Sequence, residues 1–201
     1  MSDAVQPRSL SDDIAFIRAM VEEGQKTPFR GEISLAAGLI WGSASLFTWA
    51  ALEKLVSTPA NIGWAWACAA GVFALVGFPL RMYGQRPETN RIAATVWGGV
   101  GIACWTICAA TALAIWRTHE GIIVTIIPSM IMALYGAGWI VGAAAFRAPW
   151  QRWIGIACLL VGVLLGVTAG RPEEYLIFAL ALYGLMGVPG LLGVMQARVR
   201  S

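Results

Sequence analysis

Charged side chains are scarce in this chain, and their scarcity argues against an ordinary soluble fold. Asp, Glu, Lys and Arg make up 12% of the 201 residues, whereas a soluble globular domain carries roughly 25%. Hydrophobic residues make up 58% of the chain. This composition is typical of an all-α membrane protein, whose spanning helices each need about 20 largely apolar residues.

Six stretches contain no Asp, Glu, Lys, Arg or His, and each is long enough to be interpreted as a transmembrane helix. The predicted spans are residues 33–52, 62–80, 92–116, 122–146, 153–169 and 175–195. They leave an N-terminal segment, 1–32, and a C-terminal tail, 196–201. No short basic region leads into a small-residue cleavage site, so we expect no secretory signal peptide.

A short phrase recurs in the even-numbered spans, as Ala-Leu-Val-Gly at 74–77 and as Ala-Leu-Tyr-Gly at 133–136 and 181–184. The recurrence favours three helical hairpins that descend from one unit. Matches of four residues also arise by chance in a chain rich in Ala, Leu and Gly, and the two explanations remain open.

Lys and Arg are distributed unequally between the two sets of loops, and this inequality predicts the orientation. One set, which includes both termini, holds eleven of these residues, and the other holds only Lys54, Arg117 and Arg171. Because basic loops mark the cytoplasmic side, we expect both termini in the cytoplasm and the protein in a bacterial inner membrane. The net charge of +3 then reflects topology, and it does not indicate nucleic-acid binding.

The six spans lack the side chains that intramembrane chemistry uses. Proton-coupled and ion-coupled proteins place ionisable groups inside the bilayer, and the single histidine, His119, falls in a loop. Four cysteines lie within spans, where Cys104 and Cys108 share a helix face. Thiolates can form a soft-metal site, but packing as small apolar residues is the favoured interpretation of these cysteines. We therefore expect no enzyme activity, no metal and no cofactor.

The segment before the first span is predicted to form a short amphipathic helix over about 11–24. Ser11 is a good N-cap, and Gly24 is a typical C-terminal stop. The apolar face of this helix lies opposite a largely acidic face. The acidic face disfavours binding to an anionic membrane surface. We expect the apolar face to dock on a protein partner or on the bundle itself; its residues are Leu10, Ile14, Phe16, Ile17, Met20 and Val21.

Small residues recur at the spacing of helix-packing seams. In lipid, close backbone approach through small residues supplies much of the packing between helices. The predicted packing glycines form the pairs Gly38 and Gly42, Gly138 and Gly142, and Gly162 and Gly166. The spacing does not separate seams within the chain from seams with another subunit.

Five aromatic residues lie away from the predicted membrane boundaries, where tryptophan usually anchors a protein. They are Trp41, Trp105, Tyr135, Trp139 and Tyr183. These side chains are candidates to line an apolar cavity for a lipid or a quinone, although buried aromatics more often fill helix seams.

Three functions are compatible with these patterns. The first is a non-enzymatic regulator or assembly subunit of the membrane that acts through helix-mediated contacts with a protein partner or a second copy. The second is a carrier or channel for a neutral or lipophilic small molecule. The third is an accessory subunit of a respiratory or photosynthetic complex.

Overall fold

The computed structural model describes residue 14 and residues 31–56, 62–83 and 90–199, and these residues are 91% helical with no strand. The predicted all-helical class is confirmed. The described ranges from residue 31 onward contain seven α-helices, a 3₁₀ segment, Gly121–Ile126, and a π-helical segment, Tyr183–Gly187. The α-helices are α1 Glu32–Leu52, α2 Ile62–Tyr83, α3 Asn90–Thr118, α4 Ile127–Ala145, α5 Pro149–Thr168, α6 Pro172–Leu182 and α7 Val188–Val199.

Among the described residues, five helical stretches are long and apolar enough to cross a membrane, a length and composition that indicate a membrane protein. They are Glu32–Leu52, Thr95–Thr118, Gly121–Ala145, Pro149–Thr168 and Pro172–Val199. The apolar part of α2 that the structure describes, Ile62–Gly77, is shorter. The predicted amphipathic helix lies outside the described residues apart from Ile14, which is helical and 55% exposed.

Proline and left-handed backbone mark the ends of several helices. Pro128, Pro149 and Pro172 lie in the first turns of α4, α5 and α6, where the N–H that proline lacks would have no intrahelical partner. Lys54 and Arg147 follow α1 and α4 with φ of 57° and 49°, a conformation that closes a helix C-terminus and usually favours glycine. In the structure, the fourth predicted span is formed by the 3₁₀ segment and α4, which follows it directly.

The described helices pack as two tight pairs with one further helix on each side. In the first pair α1 lies against the last span, which consists of α6, the π-helical segment and α7. In the second pair α4 lies against α5. The pairs meet where α6 contacts α5 and α4. Helix α2 packs chiefly on α1, and α3 packs chiefly on α4 and the 3₁₀ segment. A central layer is thus flanked by two peripheral helices.

The last span changes its hydrogen-bond pattern near its middle. The N–H of Val188 bonds the carbonyl of Tyr183, five residues earlier, instead of one four residues earlier. Pro189 follows at once and has no N–H to donate. A single π-helical turn accommodates such an interruption without ending the helix, so α6 and α7 form one continuous span.

Candidate functional site

The first glycine seam joins α1 to the π-helical segment and α7. A Cβ atom placed on Gly38 would lie 2.7 Å from the Cα of Gly187, and one on Gly42 would lie 2.8 Å from the ring of Tyr183. At the start of α1, Gly31 and Gly190 pack backbone to backbone in the same way. Only glycine permits this approach, because any side chain would overlap the neighbouring main chain or ring.

The second glycine seam joins α4 to α5. A Cβ atom on Gly136 would lie 2.9 Å from the carbonyl oxygen of Gly155, and one on Gly155 would lie 2.8 Å from that of Gly136. Further along, Gly162 lies against the backbone of Ser129, with 3.3 Å from a built Cβ to the carbonyl oxygen. The closest approach in this seam thus involves Gly136 and Gly155, which lie outside the predicted pairs.

The other predicted packing glycines have separate neighbours. A Cβ on Gly138 would lie 3.0 Å from Val100 of α3, and one on Gly142 would lie 3.1 Å from the Gln151 side-chain oxygen. Gly166 is exposed, and its nearest neighbour is the Ser129 hydroxyl, 3.7 Å from a built Cβ. Gly138 and Gly142 therefore contact different helices, whereas Gly162 and Gly166 both lie next to Ser129.

Hydrogen bonds from small hydroxyl side chains cross both seams. The Ser34 hydroxyl donates to the carbonyl oxygen of Met186 at 2.9 Å, and the Ser43 and Tyr183 hydroxyls lie 3.0 Å apart. In the second seam the Ser129 hydroxyl donates to the Gly162 carbonyl at 2.6 Å. Since the first two bonds end on the π-helical segment, they fix that segment against α1.

Trp139 is the largest fully buried side chain of the described core. Its indole N–H donates to the Met186 sulfur at 3.2 Å, which links α4 to the π-helical segment. Trp97 of α3 packs edge-on against it at 5.1 Å between ring centroids, and Trp150 lies at 5.9 Å. Trp97 was not among the predicted aromatic residues, and it also contacts Tyr135 at 6.4 Å.

The remaining predicted aromatic residues lie in other surroundings. Trp41 stacks on Trp66 of α2 at 6.0 Å and packs against Phe73. Trp105 points outward from α3 and is 59% exposed. The structure thus groups Tyr135 with Trp139, places Trp41 and Tyr183 at the contacts of α1, and leaves Trp105 on the surface.

The outward face of α3 carries a regular row of exposed side chains, here called the α3 stripe. Successive members are three or four residues apart, the repeat of a left-handed helix pair. The α3 stripe comprises Gly99, Ile102, Thr106, Ala109, Leu113 and Trp116. At about 100° per residue it lies opposite Trp97 and Val100, which contact α4. An open depression of about 400 Å³ at its end is lined by Leu113, Trp116 and Arg117.

Small residues make up half of the α3 stripe, and they have no partner within the described part of the chain. A Cβ on Gly99 would meet nothing within 4 Å, and the Thr106 hydroxyl bonds only its own helix, at the carbonyl of Ile102. In the most apolar stretch of α3, 6% of the residues are buried, whereas 50% are buried in the corresponding stretch of the last span. The α3 stripe therefore has the residue types of a packing seam without a neighbour among the described residues.

The cysteines have different environments. Cys158 is fully buried in the core, Cys104 and Cys108 are half-buried on α3, and Cys68 is exposed on α2. Within the described residues no group of three or more His, Cys, Asp and Glu side chains lies close enough together to hold a metal ion.

Glu174 is a buried carboxyl that the sequence pattern did not single out. It is 0% exposed, and it lies on the face of α6 that continues with Phe178 and Leu182 into the core. Its Oε2 accepts a hydrogen bond from the N–H of Gly170 at 2.9 Å. The Pro-Glu-Glu start of the last span contained a signal, since a Glu at the third helical position often reaches back to the residues before the helix.

Comparisons with protein-family profiles, with curated proteins and with solved structures gave no match for this chain.

Proposed function

We propose that this protein is a non-enzymatic regulator or assembly subunit of a bacterial inner membrane, which acts by packing a spanning helix against a partner. In this proposal the chain crosses the bilayer six times, with both termini in the cytoplasm. The α3 stripe supports the proposal most directly. It provides the small residues that close helix packing in lipid requires, on the side of α3 that faces away from α4.

The contrast with lipid-facing surfaces of the same bundle strengthens the argument. Most outward residues of α5, among them Leu160, Val163 and Val167, are bulky and apolar, with Gly166 the small exception, and they fit a surface in contact with lipid tails. On α3 the exposed row includes Gly99, Thr106 and Ala109 among larger side chains. Such a mixture suits a facing helix, whose knobs would enter the spaces above the small residues.

The proposed partner is a membrane protein with an apolar spanning helix. The α3 stripe contains no charged residue, so an electrostatic match is not required. The predicted amphipathic helix before the first span would provide a second, cytoplasmic contact. The orientation of the chain rests on the eleven Lys and Arg residues predicted to face the cytoplasm.

Photo-crosslinking in native membranes tests this function. A photoreactive residue replaces Ile102, which is 71% exposed within the α3 stripe, or Val163 on the outward face of α5, which is 69% exposed. We expect a discrete protein adduct from position 102 and only lipid adducts from position 163. A smear of lipid adducts from both positions would contradict the proposal, and an adduct of twice the chain mass would identify a second copy as the occupant.

Two glycine substitutions supply a matched control. A Cβ atom at Gly99 or Gly101 would meet nothing within 4 Å in the described chain, so we expect the bundle to fold with isoleucine at either position. Only Gly99 belongs to the α3 stripe. We expect Gly99→Ile to reduce the yield of the adduct from position 102 by at least about tenfold. A tenfold change corresponds to roughly 1.4 kcal/mol of binding free energy, which the loss of one packing contact can account for. We expect Gly101→Ile to leave the adduct yield unchanged.

A further inference from the structure

The environment of Glu174 differs from that of every other described acidic side chain. Its carboxyl group is 0% exposed, whereas Glu53, Glu120 and Glu173 are exposed and Glu32 is half-buried. Buried carboxyl groups in proteins are normally paired with a cation or fully hydrogen-bonded.

One oxygen of this carboxyl is satisfied and the other is not. Oε2 accepts the Gly170 N–H, but Oε1 is buried and has no hydrogen-bond partner. Gly170 has a φ of +83°, a conformation that favours glycine and that aims its N–H at Glu174. The turn between α5 and α6 therefore provides a hydrogen bond to one carboxyl oxygen and leaves the second buried without a partner.

No described cation lies where it would neutralise a negative charge at this position. On α6 the neighbouring groups are Arg171 and Glu173, both exposed, and Tyr175, which is half-buried. The last turns of α5 and α1 and the 3₁₀ segment carry no titratable side chain, and Glu53 and Lys54 beyond α1 are exposed. The dipole at the N-terminus of α6 favours a charge, but its contribution is smaller than the cost of burying an unpaired one.

We propose that Glu174 is a proton-binding site, at which the folded chain holds the carboxyl as the neutral acid at neutral pH. The added proton resides on Oε1, and Oε2 remains the acceptor for the Gly170 N–H. Release of that proton leaves an unpaired negative charge against the apolar face that continues into Phe178 and Leu182, so it favours opening of this end of α6. The site thus couples the packing of α6 to the acidity of the adjoining water.

Infrared spectroscopy of the full-length protein in detergent or lipid discs tests the site directly. A protonated carboxyl has a carbonyl stretching band that is separate from the bands of a carboxylate. At neutral pH we expect that band in the wild-type chain and in Glu173→Gln, and we expect it to be absent in Glu174→Gln. Glu173 is the matched control because it is the adjacent, exposed carboxyl on the same helical turn.

The pH dependence of stability gives a second readout. An exposed Glu ionises near pH 4.3, so between that pH and neutrality the folded chain retains a proton that the unfolded chain releases. Stability then falls as pH rises. We expect the melting temperature of the wild-type chain to decrease over this range and that of Glu174→Gln, which resembles the neutral acid, to lack this component.

Two results would overturn the proposal: a wild-type spectrum at neutral pH with no acid band, or a band that survives in Glu174→Gln. Glu174→Asp covers the case in which the amide variant does not fold. This variant keeps a carboxyl group at position 174, and we expect its acid band to shift in frequency. A band that does not move in the folded Asp variant would belong to another residue and would contradict the proposal.

Discussion

The two glycine seams and the α3 stripe use the same residue types in opposite surroundings. In the first glycine seam a Cβ on Gly38 would lie 2.5 Å from the backbone nitrogen of Gly187, and in the α3 stripe a Cβ on Gly99 would meet nothing within 4 Å. The central helices thus depend on their glycines to pack at all. Gly99 and Gly101 of the peripheral helix α3 have no such neighbour within the described chain.

This difference separates structural glycines from glycines that are available for another helix. Hydrocarbon solvates a leucine as well as a protein interior does, so spanning helices associate through close fit and not through exclusion of water. Where a seam is occupied, a small residue is required by its neighbour. Where a seam is vacant, the fold would tolerate a bulkier residue. Packing within the chain then does not explain why the residue is small, whereas packing against a partner helix would.

The largest expected effect compares two tryptophans. Trp139→Ala removes the fully buried side chain that links α4 to Met186 and Trp97, and such truncations cost about 3–5 kcal/mol. Trp105→Ala removes a side chain that is 59% exposed on α3, and we expect a change within about 0.5 kcal/mol. Unfolding of both variants in mixed detergent micelles measures the difference. Equal losses would show that α3 packs as tightly as the central helices.

The next effect compares two glycines. Gly38→Ala forces a methyl group against Gly187 and the carbonyl of Leu182, and overpacking of this kind costs about 1–3 kcal/mol. Gly99→Ala meets open space and should be neutral or stabilising by up to about 1 kcal/mol, because alanine is the better helix former. The same unfolding assay compares them. A destabilised Gly99→Ala variant would mean that the α3 stripe is occupied within the chain.

The sequence was sufficient to predict helices and their approximate positions, because long apolar stretches without ionisable groups have few other solutions. It was not sufficient to predict which helices pair. The seam between α1 and α7 joins residues such as Gly31 and Gly190, and nothing local to either position specifies that meeting. The repeated phrase also occupies unequal environments, since Gly136 is packed against α5 and Gly184 has nothing within 4 Å.

The candidate site was likewise only partly predictable from the sequence. Spacing predicted that Gly138 and Gly142 would pack, but only the rotation and neighbours of α4 decide that one contacts Val100 and the other Gln151. Glu174 was overlooked because it falls just before the predicted sixth span, where an acidic residue is expected to be solvated. The position of α5 and the Gly170 turn determines that it is buried instead.

The smallest expected effect compares two hydroxyl groups of similar size. Ser129→Ala removes the 2.6 Å bond to the Gly162 carbonyl across the second glycine seam, whereas Thr106→Val removes a bond that Thr106 makes to its own helix, on the exposed face of α3. Hydrogen bonds between helices in membranes contribute about 0.6 kcal/mol on average. We therefore expect a loss of about that size for Ser129→Ala and none for Thr106→Val in the micelle unfolding assay. If Thr106→Val were the more destabilising of the two, α3 would have to be held by contacts on its outward face, and the distinction between occupied and vacant seams would fail at that helix.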